Sequence, residues 1–514
     1  MSFVDINLWD FLDNSANRYP KKTAIKENGA SCTYEQLRDR TLSVAAFIKS
    51  HGLLEGDRAA ILSPNCLPFV EVMFANARLG VVTELLNWRL APARLCELVE
   101  QSSAKLVFFS EKTRESYEIL RKNVKRPLTY VCMDADIPAA VSNTVMHSLP
   151  PMERNGGPGF NAPAMLIYSS GTTSAPKAMI HSVKNIVLKA LILVNTGTWT
   201  QDDVYLLTSP LFHSSCVGLF ACIAAGATCI IGKPSPDGII NAVVKDRATR
   251  IGVVPSVLNT ILDYLDEHPD VDCSSVRCIE YGAAPMSAQQ IARSMRHFDC
   301  GFYQYYGMTE TAATVTALLP AHHLDESKLK SVGLPVLGTR IKVVNDSGGL
   351  CEPGEIGEIV VRHPCTINEY LDNPELTKSA IHDEWYSSGD LGYMDSEGFL
   401  YIVDRKGDLI ITGGENVYPK EIASCIMELP GVADVAVTGV PDERFGEAVM
   451  AAVVRAAGSD ISAEEIQDHC REHMASYKKP RYIYFVDALP LNSTGKVDKK
   501  AVKSLHTDNN QAIN

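Results

Sequence analysis

The sequence predicts an α/β protein: a large N-terminal domain of α/β sheet layers with a β-rich subdomain, and a small α+β C-terminal domain joined by a hinge. Over the first part of the chain, short runs rich in Val and Ile alternate with longer amphipathic segments, which is typical of β-α units in parallel sheet. The chain has 514 residues, more than one hydrophobic core usually supports. We therefore expect a large domain and a smaller one.

The elements of the large domain follow from this alternation. From Gly333 onward, brief strands are separated by Gly, Pro, Asn and Asp turns, and this change of pattern predicts the β-rich subdomain. The predicted strands lie at 104–109, 164–167, 204–208, 251–254, 276–280, 340–344, 357–362 and 398–403, and predicted helices lie at 257–265 and 288–295.

A polar segment with the sequence Asp-Arg-Lys-Gly-Asp, residues 404–408, is the predicted hinge. It divides the chain into an N-terminal domain at 1–403 and a mobile C-terminal domain at 409–514. About 100 residues is a usual size for a small domain. Its predicted elements are helices at 419–428 and 463–473 and strands near 432–440 and 448–454.

Composition and charge narrow the function classes. The formal net charge is −13, so the overall field repels nucleic acid and anionic lipid, and we expect neither as a partner. The fourteen cysteines form no zinc-type pattern, which favours reduced thiols in a cytoplasmic protein. Residues 1–20 lack the features of a signal peptide, and the longest apolar stretch, 219–231, is too short to span a bilayer.

A hydroxyl-rich loop directly follows the predicted strand at 164–167. Its backbone N–H groups and hydroxyls can donate to phosphate oxygens, Gly171 permits close approach, and Lys177 supplies a positive charge. The Walker A pattern is absent, and a surface turn is the alternative interpretation. The candidate phosphate-binding residues are Ser169, Ser170, Gly171, Thr172, Thr173 and Lys177.

This loop resembles the phosphate loop of the adenylate-forming superfamily, which comprises acyl- and aryl-CoA ligases, luciferases and adenylation domains. Further motifs that resemble those of the family follow in the expected order between about Trp9 and Lys500. The resemblance implies ATP, Mg²⁺ and coenzyme A as cofactors and a small carboxylic acid as substrate. Two loop positions depart from the family, because Ser174 and Ala178 stand where glycine is common.

The segment Tyr305-Tyr306-Gly307-Met308-Thr309-Glu310 resembles the family's aromatic-Gly-x-Thr-Glu motif. The resemblance implies that the aromatic residue packs on adenine, that Thr309 contacts the α-phosphate, and that Glu310 helps to hold magnesium. One carboxylate is enough as a protein ligand, since Mg²⁺ in nucleotide sites takes most of its oxygens from phosphate and water. A helix start capped by Thr309 is the alternative.

Other nucleotide contacts are implied by three further motifs. The small-residue loop Gly282-Ala283-Ala284-Pro285 resembles the family loop beside adenine. Asp390 matches the family aspartate that accepts hydrogen bonds from both ribose hydroxyls, and Arg405 matches the family arginine at ribose or phosphate. At the pivot of the hinge, Gly407 stands where the family usually has Asp or Lys, so the balance between domain orientations is open.

The C-terminal motifs concern the chemistry and the thiol. Lys496 matches the family lysine that bridges the attacking carboxylate and the α-phosphate, where a cation offsets the repulsion between two anions. Gly413 and Gly414 match the segment that lines the pantetheine tunnel. Phe445 and the basic residues Lys479 and Arg481 fall where the CoA ligases contact the nucleotide end of CoA.

The acid pocket is placed by resemblance to the gate of acyl- and aryl-CoA ligases at 210–213. No Asp stands there to hold an ammonium group, so an amino acid is disfavoured, and an aryl or fatty acid is expected. His213 is a candidate catalytic or gating residue, with a packed core histidine as the alternative. The other expected pocket residues are Cys216, Val217, Gly218, Tyr281, Gly282, Tyr306, Gly307 and Thr314.

The leading hypothesis is an ATP-dependent, AMP-forming carboxylate–CoA ligase. The alternatives are an adenylating enzyme that loads a separate carrier protein, a luciferase-like oxygenase, and a non-catalytic nucleotide-binding protein. The last would tolerate loss of the charged motif residues, and all of them are present. The oligomeric state is left open, with a homodimer as one option.

Overall fold

The computed structural model describes residues 6–154, 156–169, 176–284, 286–491 and 497–511, with side chains up to 507. The elements that the sequence analysis predicted lie within two residues of observed helices and strands. The α-helices are α1 (Leu8–Arg18), α2 (Tyr34–Ser50), α3 (Leu67–Leu79), α4 (Pro92–Ser102), α5 (Arg114–Asn123), α6 (Asn143–Met146), α7 (Val183–Thr196), α8 (Val217–Ala225), α9 (Pro236–Val244), α10 (Pro255–Glu267), α11 (Ala288–His297), α12 (Pro374–Ala380), α13 (Pro419–Ile426), α14 (Ala463–His473) and α15 (Lys499–Gln511).

The strands are mostly short, as Val/Ile-rich runs between turns predict. They are β1 (Thr23–Glu27), β2 (Ala30–Thr33), β3 (Arg58–Leu62), β4 (Val82–Leu85), β5 (Leu106–Phe109), β6 (Thr129–Cys132), β7 (Pro163–Tyr168), β8 (Ala178–Ser182), β9 (Val204–Leu207), β10 (Thr228–Ile231), β11 (Arg250–Val253), β12 (Cys278–Gly282), β13 (Gly301–Tyr306), β14 (Thr316–Leu318), β15 (Leu334–Pro335), β16 (Arg340–Val344), β17 (Gly357–Arg362), β18 (Glu369–Tyr370), β19 (Ile381–His382), β20 (Trp385–Met394), β21 (Leu400–Arg405), β22 (Ile410–Thr412), β23 (Glu415–Val417), β24 (Val432–Asp442), β25 (Gly446–Arg455) and β26 (Tyr482–Phe485).

By compactness the chain divides into two units. The first contains the described residues up to Ser169, then Lys177–Arg340 and Val361–Tyr386, and the second contains Ile341–Val360 and the described residues from Ser387 onward. The domain limits inferred from the sequence, with a hinge at 404–408, stay a prediction.

The first unit is built on two large sheets. One has the strand order β18-β8-β7-β4-β3-β5-β6, and the other has the order β15-β14-β13-β12-β11-β9-β10-β1-β2. Pairing is parallel through the centre of both sheets, as predicted, whereas the edges are antiparallel: β7 with β8, β13 with β14, and β1 with β2. The parallel strands end at the loops that carry most of the candidate motifs.

Alternation along the central strands explains how the layers are filled. On β3, Ala59 and Ile61 belong to one core cluster while Ala60 and Leu62 belong to another. On β9, Leu207 belongs to the first cluster and Leu206 to a third. Because successive residues of a strand face opposite sides, both faces of each sheet are buried. The first cluster therefore receives side chains from both sheets, together with helices such as α3, α7 and α8.

The second unit contains antiparallel β20 and β21, in which Asp390 pairs with Arg405, and a sheet with the order β23-β22-β25-β24 to which β26 is added in parallel. Helices α13 and α14 pack on that sheet around Ile422, Ile426 and Ile466. All fourteen cysteines are free thiols. Among the helices that the structure describes, none is both long and apolar enough to cross a membrane.

Candidate active site

The two ends of the hydroxyl-rich loop are fixed by the hairpin of β7 and β8. The Ser169 N–H donates to the Lys177 carbonyl (3.0 Å), and the Lys177 N–H donates to Ser169 Oγ (3.0 Å). The first of these bonds continues the backbone pairing by one step beyond Tyr168 and Ala178, and the second adds a side-chain bond between the same two residues. The Lys177 side chain is thereby held at the loop exit, exposed to solvent.

Tyr370 connects Lys177 to the Thr-Glu motif. It lies on β18, which pairs with β8, so its ring comes to within 5.8 Å of Lys177 Nζ. Its hydroxyl donates to Glu310 Oε1 (3.0 Å). Burial raises the pKa of Tyr370 above its usual value, and the adjacent Glu310 carboxylate raises it further. The phenol therefore stays protonated and remains a donor to Glu310 at ordinary pH.

The loop after Glu310 has a strained backbone. Ala312 and Ala313 both have positive φ (52° and 96°), a region that residues with a Cβ rarely adopt. Gly307 allows the close approach, because a Cβ there would lie 1.6 Å from the Ala313 carbonyl oxygen. The motif is a short 3-10 turn, Thr309–Thr311, whose cap position is Met308 rather than Thr309.

A buried lysine holds the far end of this loop. Lys189 lies on α7, has no exposed surface, and donates from Nζ to the Thr314 carbonyl. Nζ also lies 3.5 Å from His363 Nε2. Burial lowers the pKa of Lys189 to about 7 and the pKa of His363 to about 2, so the histidine is neutral. The lysine gives a hydrogen-bond partner to a carbonyl that the loop conformation would otherwise leave buried without one.

A buried ion network lies below the small-residue loop. Arg250 Nη1 donates to Glu280 Oε1 (2.5 Å), and Tyr305 Oη donates to the same oxygen (3.4 Å). Gly282 pairs with Tyr305 on the neighbouring strand, and a Cβ at Gly282 would lie 2.5 Å from the Tyr305 carbonyl oxygen. The ring of Tyr305 is therefore fixed at both ends, while Ala283 and Ala284 are exposed at the end of β12.

The predicted acid gate is a rigid turn. The side chain of Asn65 accepts from the Leu211 N–H (2.8 Å) and donates to the Ser209 carbonyl (2.8 Å). His213 is half-buried, and its ring lies 4.6 Å from the Phe212 ring. Tyr281 is instead packed in a core cluster, where its hydroxyl lies 2.9 Å from His323 Nε2. Its side chain thus belongs to the sheet interior.

In the second unit, Asp390 and Arg405 form an ion pair. Arg405 Nε lies 3.0 Å from Asp390 Oδ1, and the two residues are register partners on β20 and β21. The Asp390 N–H donates to Ser388 Oγ (3.0 Å), and Ser388 Oγ donates to the Ile359 carbonyl (2.6 Å). Asp390 is only 4% exposed, so its carboxylate is held in one orientation.

The segment 404–408 is held by three further contacts. Asp404, fully buried, accepts the Lys420 N–H through Oδ2 (2.9 Å). Lys406 pairs with Glu358 (2.8 Å), and Asp408 pairs with Lys499 (2.7 Å). Between these pairs, a Cβ on Gly407 would meet no atom within 4 Å. Packing therefore does not require a glycine at the position of Gly407.

The residues predicted to bind CoA also meet in the second unit. The Gly413 N–H donates to the Phe445 carbonyl (2.9 Å), and both Gly413 and Gly414 have positive φ (59° and 87°). The guanidinium of Arg481 lies 4.6 Å from the Phe445 ring centroid, within cation–π range. Lys479 caps the short turn Ser476–Lys478 next to Arg481.

Comparison with known proteins gives these motifs a family. The AMP-binding enzyme model matches residues 12–371, and the AMP-binding enzyme C-terminal domain model matches residues 421–496. The chain belongs to the AMP-binding enzyme family. It is 33% identical to a feruloyl-CoA synthase of Amycolatopsis sp over 497 residues, which is 95% of this chain and 96% of that one.

Two further members of the AMP-binding enzyme family cover nearly the whole chain. The long-chain-fatty-acid–CoA ligase FadD13 of Mycobacterium tuberculosis is 32% identical, over 92% of this chain and 93% of its own. The o-succinylbenzoate CoA synthetase of Bacillus subtilis, solved with its acyl-adenylate intermediate, is 30% identical with a TM-score of 0.85, covering 98% and 99% of the two chains. The predicted superfamily, the fold class and the prediction of an acyl- or aryl-CoA ligase are confirmed.

The individual site residues of this family member stay predictions. The structure brings Lys177 near Glu310 through Tyr370, pairs Asp390 with Arg405, and places Gly413 beside Phe445. Ser170, Gly171, Thr172, Thr173, Ser174, Pro285 and Lys496 lie outside the described residues.

Several residues around the motifs were missed by the sequence analysis. Lys189 gave a usable signal, since it is a lone charge on the apolar face of α7 with Ile186 and Leu193. Tyr370 and Glu280 gave no signal in the sequence, because each lies near the motifs only through the pairing of its strand with a neighbouring strand.

Replacing Lys189 by methionine is expected to flatten the pH dependence of stability. The pKa of about 7 lies below the ordinary 10.5, so between these values the unfolded chain binds more protons and the free energy of unfolding rises with pH. The measurement is the urea midpoint of wild type and Lys189→Met from pH 7 to 10.5. Lys184→Met, on the same helix but partly exposed, is the control. An unchanged slope in Lys189→Met would contradict the assignment.

Proposed function

We propose that the chain is an AMP-forming carboxylate–CoA ligase that acts on an aryl or fatty acid. In the first half-reaction, a carboxylate oxygen attacks the α-phosphorus of ATP, giving an acyl-adenylate and releasing pyrophosphate. In the second, the sulfur of CoA attacks the acyl carbon, AMP leaves with the bonding electrons, and the thiol proton passes to solvent. The products are an acyl-CoA thioester and AMP.

The observation that carries this proposal is the meeting of Lys177 and Glu310 at Tyr370. A cation at the exit of a hydroxyl-rich loop and a carboxylate nearby are what an Mg²⁺·polyphosphate group requires. The donor set fits: Glu310 offers hard carboxylate oxygens, held by the Tyr370 hydroxyl. When bound there, Mg²⁺ would offset negative charge on the phosphates. Lys177 would contact the phosphates, and Thr309 would donate to the α-phosphate.

The remaining roles follow from the contacts within each unit. We assign adenine to Tyr306, with the small-residue loop Gly282-Ala283-Ala284-Pro285 beside it. The ribose hydroxyls are assigned to Asp390, which Arg405 and Ser388 keep in position. The CoA arm is assigned to Gly413 and Gly414, and its nucleotide end to Phe445, Lys479 and Arg481.

The choice of acid is limited by the gate and pocket residues. A turn without an acidic residue, with His213 against Phe212, gives no partner for an α-ammonium group. The acid pocket is assigned to His213, Val217, Gly282, Tyr306, Gly307 and Thr314, with Tyr281 contributing through its backbone. The similarity to both a feruloyl-CoA synthase and a long-chain-fatty-acid–CoA ligase supports testing both classes. From the sequence we also propose a cytoplasmic location, with a homodimer as one option for the oligomeric state.

The test is a pyrophosphate-release screen over aryl, short-, medium- and long-chain acids, each run with and without CoA. The proposal expects one acid class to give rapid turnover that yields AMP only when CoA is present. AMP release that needs a carrier protein and ignores CoA would support the carrier-loading alternative. No pyrophosphate with any acid, despite ATP binding, would support a non-catalytic role.

Tyr370→Phe is expected to raise the Mg²⁺ concentration for half-maximal pyrophosphate release on the order of 10-fold. The ring beside Lys177 is kept, whereas the hydroxyl bond to a charged Glu310, typically about 1.5–3 kcal/mol, is lost. Initial rates at fixed ATP and varied Mg²⁺ measure it. Tyr303→Phe, which removes a buried hydroxyl beside Thr198, is the control. An equal shift in both variants would contradict the role of Tyr370.

A further inference from the structure

A second group of chemically reactive side chains lies on the helices of the second unit, where the proposed ligase reaction uses none of them. Cys425 is near the end of α13, Glu428 follows that helix, and His469 is on α14. One donor atom from each side chain lies within 4.8 Å of the other two. The mixed set of sulfur, nitrogen and oxygen is unlike an acidic surface patch.

The contacts among the three side chains hold them ready to converge. The His469 Nε2–H group donates to the Cys425 carbonyl oxygen (3.1 Å), a hydrogen bond that an ion on Nε2 would replace, and Nε2 lies 3.6 Å from Glu428 Oε2. Cys425 is 7% exposed, His469 is half-buried, and Glu428 is exposed. The cluster is therefore anchored in the packed interface of α13 and α14 and open to solvent on one side, which gives an entry path.

A second histidine lies one helical turn away. His473 follows His469 by four residues on α14, and the two rings are 4.2 Å apart. The His473 Nδ1 lies 2.9 Å from the His469 carbonyl oxygen, and the converging donor atoms are those of Cys425, Glu428 and His469, so His473 flanks the site. Cys470, which is fully buried, packs in the same core cluster as Cys425.

The chemistry of these donors selects the class of ion. Thiolate and imidazole suit Zn²⁺ and neighbouring transition metals, whereas Mg²⁺ and Ca²⁺ require oxygen ligands. A thiol binds such an ion as the thiolate. Binding therefore releases the thiol proton to solvent, and the affinity is expected to rise with pH.

We propose that Cys425, Glu428 and His469 form a binding site for a Zn²⁺-class transition-metal ion that links α13 to α14. This site is separate from the Mg²⁺·ATP chemistry, so its test is independent of the ligase activity. The bound ion would link α13, the helix that follows Gly413 and Gly414, to α14 in the second unit.

The experiment titrates Co²⁺ into the full chain without an affinity tag and without nucleotide, and follows absorbance. We expect one Co²⁺ per chain, a sulfur-to-metal charge-transfer band, loss of that band on adding Zn²⁺, and a higher Tm with Zn²⁺. Zn²⁺ affinity is then measured by competition with a chromophoric chelator at two pH values.

Variants locate the ion. Cys425→Ser should abolish the charge-transfer band, and His469→Ala should weaken Zn²⁺ affinity by more than about 100-fold, since loss of an outer partner alone costs about 10–100-fold. His473→Ala, which removes a flanking histidine, should leave the charge-transfer band in place. Cys351→Ser, a partly exposed thiol of the same unit outside the cluster, should change nothing. No charge-transfer band in the wild type, or a band that survives Cys425→Ser, would overturn the proposal.

Discussion

Replacing Lys496 by alanine is expected to slow adenylate formation on the order of 10²–10³-fold while thioester synthesis from supplied acyl-adenylate continues. In the first half-reaction a carboxylate anion approaches a phosphate anion, and we assign to Lys496 the cation that lies between them. Loss of one preorganised electrostatic contact at a reacting centre lowers the rate on the order of 10²–10³-fold. The second half-reaction uses a neutral acyl carbon and does not need this charge.

The two half-reactions are measured separately. Pyrophosphate release with acid and ATP reports the first, and conversion of chemically made acyl-adenylate plus CoA to thioester reports the second. Lys503→Ala, an exposed lysine on α15, is the matched control and should affect neither. Equal losses of both half-reactions in Lys496→Ala would remove Lys496 from its assigned role.

Asp390→Ala is expected to weaken ATP binding on the order of 100-fold or more. The carboxylate would accept from both ribose hydroxyls, and each such bond to a charged acceptor contributes about 1.5–3 kcal/mol. Removing it also leaves Arg405 without its ion-pair partner on the neighbouring strand. Since Arg405 is largely exposed, water can solvate it, and the fold should persist.

Deoxynucleotides separate the ribose contact from a general loss of structure. Wild type should bind 2′-deoxy- and 3′-deoxy-ATP more weakly than ATP, and this discrimination should vanish in Asp390→Ala. Asp346→Asn, an exposed acidic residue of the same unit, should retain both affinity and discrimination. If Asp390→Ala still bound ATP more tightly than the two deoxynucleotides, a group other than Asp390 would contact the ribose hydroxyls.

Much of the fold could be predicted because burial leaves a periodic record in the sequence. The strands β11 and β16 and the helix α14 lie within two residues of their predicted bounds, since apolar alternation and helix caps such as Ser462 are local signals. The antiparallel edges were not predicted. Whether β8 turns back on β7 depends on pairing partners distant in the sequence, which periodicity does not encode.

The candidate site shows the same division. Motif residues such as Glu310 and Asp390 could be picked out because their type and spacing match a known chemistry. Their supports could not: Tyr370 reaches Glu310 from a strand 60 residues later, and Arg405 reaches Asp390 through strand register. The metal-binding group at Cys425 and His469 was likewise invisible, since its members are 44 residues apart.

The burial of Lys189 affects whether the enzyme can acylate its own lysine. With a pKa near 7, much of this amine is neutral at physiological pH, and a neutral amine attacks an activated acyl group. Lys189 Nζ donates a hydrogen bond to the carbonyl of Thr314, and Thr314 is one of the residues we assign to the acyl pocket. Because the side chain has no exposed surface, a reactive amine and a mixed anhydride can coexist in one protein without forming an amide. Engineering that widens the pocket at Thr314 would remove this protection and turn the lysine into an acceptor.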